Sequence, residues 1–84
     1  MIFNNILKEK KMTTLDMVRI VNAGGGLRVN CKGKNILDLI RIANATQQNN
    51  GFLILINTNV LNTLDMIRIA NAGKGHVFFD DVLL

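Results

Sequence analysis

Apolar and polar positions along this chain fall into one nine-residue pattern written three times: Leu15-Asp-Met-Val-Arg-Ile-Val-Asn-Ala23, Leu37-Asp-Leu-Ile-Arg-Ile-Ala-Asn-Ala45 and Leu64-Asp-Met-Ile-Arg-Ile-Ala-Asn-Ala72. Wound as a helix at about 100° per residue, each copy gathers its Asp, Arg and Asn into one arc of about 120°. The apolar remainder is too broad for a lone surface helix but suits one packed on a sheet between neighbouring helices. Each phrase has its own start signal. Thr13, Asn35 and Asn62 stand two residues before the Leu and three before the Asp, the spacing of an N-cap with an acidic residue in the first turn. Stop signals follow: Gly24 and Gly73 sit where a left-handed residue would end the first and third helices, and Thr46-Gln-Gln48 extends the middle helix before Asn49-Asn-Gly51.

Short strand candidates come after each helix, at Leu27-Arg-Val-Asn-Cys31, Phe52-Leu-Ile-Leu-Ile56 and His76-Val-Phe-Phe79, and Ile2 to Leu7 reads as a degenerate first strand. The copies start 22 and 27 residues apart, a period typical of stacked repeats. The predicted fold is therefore α/β: a single domain over residues 1–84, built as a short right-handed βα-repeat solenoid. It has about four parallel strands in chain order, with three helices on one face. In outline this resembles a small leucine-rich-repeat horseshoe, although the Leu-x-x-Leu-x-Leu consensus is absent. The phrase is also similar to that of small uncharacterised bacterial proteins with repeated Leu-Asp-x-Ile-Arg-Ile-Ala-x-Ala units. Neither resemblance implies an activity.

Parallel sheets are usually covered on both faces, and the predicted helices cover one. Aligning Gly26, Gly51 and Gly75 places Leu27, Val29 and Cys31 with Phe52, Ile54, Ile56, His76 and Phe78 on the helix side. The open face then carries Leu53, Leu55, Val77 and Phe79 beside Arg28 and Asn30, an apolar patch large enough to mark an interaction site unless Asp80 to Leu84 folds back over it. A protein partner is expected there, and a second copy of the chain would use the patch in a homo-oligomer.

Composition narrows the function classes. At 49% hydrophobic and 19% charged residues the chain is expected to fold, and no apolar run reaches membrane-spanning length. No secretion signal is legible, and a single cysteine forms no internal disulfide, so a cytoplasmic setting is expected. Catalytic instruments are sparse. There is no Ser and no Tyr, and Cys31 and His76 fall on strands separated by a third. The glycine clusters at 24–26 and 73–75 follow helices, whereas a phosphate loop precedes one. Gly33-Lys34 does precede a helix, but Asn35 replaces the required Ser or Thr. No catalytic residue, metal site or cofactor is assigned, and the expected role is a non-enzymatic inhibitor, immunity or adaptor module.

The net charge of +4 supports an alternative, a nucleic-acid-associated protein contacting phosphates through Lys8, Lys10, Lys11, Lys32 and Lys34, with Arg28. Arg19, Arg41 and Arg68 read as partners of the Asp three residues earlier and as bridges between repeats. Asn22, Asn44 and Asn71 read as a ladder that satisfies carbonyls near the helix ends.

Overall fold

The computed structural model describes residues 11–82. Three helices alternate with three strands: α1 (Thr14–Asn22), β1 (Leu27–Asn30), α2 (Ile36–Gln48), β2 (Leu53–Ile56), α3 (Thr63–Gly73) and β3 (Val77–Phe79), with a 3-10 turn at Thr58–Val60 between β2 and α3. The strands form one parallel sheet in the order β1-β2-β3. Chain order is sheet order, as the repeat predicts. The described sheet has three strands rather than four, and the expected first strand at Ile2 to Leu7 lies outside the described residues.

Local chemistry explains the helix starts. Thr13 Oγ1 accepts the Asp16 N–H at 3.1 Å, Asn35 Oδ1 accepts the Leu37 N–H at 2.8 Å, and Asn62 Oδ1 accepts the Asp65 N–H at 2.8 Å. Each cap satisfies a donor that the first turn leaves unpaired. The stops are less uniform. Gly24 takes the expected left-handed conformation after α1, at φ +96°. Gly73, expected to do the same, is the last helical residue of α3, and Lys74 takes the left-handed position at φ +45°. The glycine at 73 serves packing: a Cβ there would overlap the Val77 side chain of β3.

The core forms between the helix layer and one face of the sheet. Val29, Leu53 and Leu55 meet Leu39, Ile42, Ala43 and Ile69, and Cys31 closes the end of β1. Met17 and Val18 of α1, with Val77 and Phe79 of β3, pack at its margins. A fully buried Leu or Ile contributes about 1.5–3 kcal/mol by area, and Leu39, Ile42, Leu53, Leu55 and Ile69 are each fully buried. The leading leucine of each phrase takes no part. Leu15, Leu37 and Leu64 are all more than half exposed, at 55%, 69% and 54%.

The register corrects the expected assignment of the two sheet faces. Leu27 lies opposite Leu53 and Val29 opposite Leu55, with Leu53 opposite Val77 and Leu55 opposite Phe79. Leu53 and Leu55 are therefore fully buried under the helices, and Val77 and Phe79 are partly buried against the same core. The physical reason lies in the turn before β1. Gly25 N–H reaches back five residues to the Ile20 carbonyl at 3.0 Å, as Gly51 N–H does to that of Thr46 at 3.0 Å. Gly25, not Gly26, is thus the counterpart of Gly51, and a one-residue slip exchanges every side chain between faces.

Candidate functional site

On the face away from the core, alternation places Arg28, Ile54 and Phe78 on one rung across the three strands. Phe52, just before β2, lies beside Phe78 with ring centroids 5.9 Å apart and planes tilted by 38°. Both rings are exposed, Phe52 at 58% and Phe78 at 48%. Ile54 and Ile56 are half-buried, and the Arg28 Nη2 reaches Asp80 Oδ2 at 3.7 Å from the far edge strand. Register puts this ion pair across β2, over the Ile54 and Ile56 positions. Its two ends are well exposed, so it contributes at most about 1 kcal/mol. No helix among the described residues packs on this face.

Of the residues predicted for an open face, Arg28 and Asn30 are there. Their neighbours Phe52, Ile54, Ile56 and Phe78 were assigned to the helix side by the same slip that misplaced Leu53, Leu55, Val77 and Phe79. β2 offered no signal of its own, because Leu53-Ile-Leu-Ile56 is apolar at every position. The usable signal was in β1, where Leu27 and Val29 alternate with Arg28 and Asn30.

A second feature lies at the outer edge of β1. Lys11, Met12 and Met17 on one side and Arg28, Asn30, Lys32, Gly33 and Lys34 on the other line a hollow of about 660 Å³, with Val29 and Ile56 also in its wall. Lys34 Nζ donates to the Met12 carbonyl at 3.5 Å, linking the turn after β1 to the segment before α1. Within that turn, the Lys32 N–H and the Asn57 Nδ2 both donate to Asn30 Oδ1, at 2.9 and 2.8 Å. The structure thus brings together Lys11, Lys32 and Lys34 of the predicted basic set with Arg28. Lys8 and Lys10 lie outside the described residues.

The carboxyl end of the sheet is tied by Asp81. Its carboxylate accepts from the N–H of Asn57 at 2.6 Å, the N–H of Thr58 at 3.2 Å and the Thr58 Oγ1 at 2.6 Å. The Thr58 hydroxyl bond, with the two backbone donors, holds the carboxyl below its usual range. Burial first, and the Asp81 charge second, push the Cys31 thiol up to about 11, which leaves it protonated and unreactive at neutral pH. His76 sits at the opposite end of the sheet, before β3, and donates from Nδ1 to the Gly51 carbonyl at 2.8 Å. Cys31 and His76 therefore share no site.

The repeated polar columns form only in part. Arg19 meets Asp16 at a loose 4.0 Å, and among the described residues no ion pair joins Arg41 or Arg68 to an acid, nor Arg19 to another repeat. Asn22 Oδ1 accepts from Asn49 Nδ2 at 3.0 Å; Asn44 and Asn71 are exposed and make no side-chain bond to a described residue. Among the described residues, no three His, Cys, Asp or Glu side chains gather where a metal ion could be held. No helix among them is long and apolar enough to cross a membrane. Comparisons of the whole chain with protein-family models, with curated proteins and with solved structures find no match.

Proposed function

We propose that this chain is a non-enzymatic protein-binding module that acts through the open face of its sheet, and that a second copy of itself is the first partner. One observation carries the reading: Phe52 and Phe78 stand exposed and side by side on a parallel sheet whose other face is the core. Parallel sheets bury both faces as a rule, and an exposed apolar face of this kind is a common mark of an interface. An isologous pairing would set Phe52, Ile54, Ile56 and Phe78 of each copy against the same residues of the other. The Arg28–Asp80 pairs would lie within the same contact. The wider role is that of an inhibitor, immunity factor or adaptor in a cytoplasm, with the chain stacked as a short solenoid.

Sedimentation velocity over a range of concentrations tests this directly. Wild type is expected to associate to a dimer, with little change when salt is raised, because the contact is apolar. Phe78→Asp is expected to remain a monomer, with the urea midpoint that wild type shows when dilute enough to be monomeric. A wild-type monomer at every concentration, or a Phe78→Asp dimer as strong as wild type, overturns the proposal.

A further inference from the structure

We infer that the hollow at the outer edge of β1 is a binding site for the phosphate chain of a small molecule, a di- or triphosphate group rather than a nucleic-acid strand. Four basic residues, Lys11, Arg28, Lys32 and Lys34, line one space of about 660 Å³, and among the described residues no carboxylate lines it with them. That volume lies within the range of small-molecule sites. Arg28 is partly engaged by Asp80, which leaves the three lysines as the main complement to a ligand of several negative charges.

Backbone groups add to the donor set. Leu27 and Cys31 donate their N–H groups to the carbonyls of Phe52 and Ile56, so alternation along the strand turns the N–H groups of Arg28 and Asn30 away from β2, to the strand edge on which the described part of the hollow lies. Asn30 Oδ1 is occupied by two donors, which orients its Nδ2 as a further donor. The site also stands where a strand leads through Lys32-Gly33-Lys34 into a helix, at the carboxyl end of a parallel sheet. Ligands of open α/β sheets gather at that end. The departures from a phosphate-loop sequence remain, so the side-chain ammonium groups supply the grip that a glycine-rich backbone would otherwise provide.

Placement of charge separates a small anion from a nucleic acid. The other described basic residues, Arg19, Arg41, Arg68 and Lys74, lie on the helices and on the turn before β3. Among the described residues, these four do not continue the hollow into a track along which successive phosphates could lie.

Isothermal titration calorimetry with inorganic tripolyphosphate tests the site. One-to-one saturable binding is expected, weakened about tenfold by Lys32→Gln and by about the same factor again on adding Lys11→Gln. Both lysines are exposed, so the variants keep the fold. Arg68→Gln, which removes the same charge elsewhere, is expected to bind as wild type does. ATP should bind about as well as tripolyphosphate, and inorganic monophosphate at least tenfold more weakly. Absence of saturable binding, an equal loss in Arg68→Gln, or monophosphate binding as strong as tripolyphosphate overturns the inference. Tighter binding of single-stranded oligothymidine than of tripolyphosphate also overturns it, in favour of a nucleic-acid surface.

Discussion

Truncating two adjacent residues of β2 distinguishes the observed sheet register from the alternative one residue away. Leu55 is fully buried and Ile54, its neighbour on the other face, is half-exposed. Leu55→Ala removes three buried carbon groups, worth about 0.8 kcal/mol each in transfer. The cavity left among Leu39, Ile42 and Val29 raises the expected cost to about 3–4 kcal/mol. A chain of this length has a total stability of about 4–13 kcal/mol, so the variant loses a large share of it. Ile54→Ala leaves no enclosed void and is expected to cost about 1 kcal/mol or less. Urea unfolding followed by circular dichroism reads the difference as a shift of roughly 3 M against less than 1 M, for a slope near 1 kcal/mol per M. Should Leu55→Ala fail to fold, Leu55→Val provides the same comparison at about 1 kcal/mol, against near zero for Ile54→Val. An equal or larger cost at Ile54 would refute the placement of Leu55 in the core and restore it to the open face.

Gly73→Ala is expected to destabilise by more than about 1 kcal/mol, because its new methyl overlaps Val77. Val77→Ala should recover part of that loss in a double-mutant cycle, whereas two independent, additive losses would remove the close approach as the cause. Asp81 has a folded pKa below its unfolded value, so its stabilising contribution is full above the unfolded pKa and lost as pH falls through the folded one. The urea midpoint should drop from pH 5 to pH 2, and Asp81→Asn should flatten that portion of the curve; an unchanged slope in the variant would assign the acid sensitivity elsewhere. Cys31, buried and with its thiol at about 11, should resist a thiol reagent at pH 8 in the folded protein and react promptly in denaturing urea. Comparable rates in the two states would contradict its burial.

What the sequence discloses differs from element to element. The helix starts were readable because an N-cap is decided within four residues, and Thr13, Asn35 and Asn62 each carry the required side chain. Strand order was readable because chain connectivity and repeat spacing act together. Register was not, because Gly24-Gly-Gly26 supplies three equivalent residues where one reaches back to Ile20, and an all-apolar β2 accepts either parity. The basic hollow was visible only as scattered lysines. Lys11 and Lys32 come to line one hollow only in the folded chain, where the Lys34 contact to Met12 spans 22 residues. The partial failure of the Asp and Arg columns has a related cause: exposed side chains at a repeated position gain little from pairing, so repetition alone does not align them.

The backbone bond from Gly25 to Ile20 makes the turn after α1 a counting device. Strand direction and helix packing would survive a residue inserted between Gly25 and Leu27, but parity would not. Arg28 and Asn30 would swing toward Leu39 and Ile42, while Leu27 and Val29 turned to solvent. The number of residues in that turn, more than their identity, thus decides which side of β1 is wet, and with it whether Arg28 can reach either Asp80 or the hollow. A single inserted or deleted codon there would invert this strand without altering any residue in it.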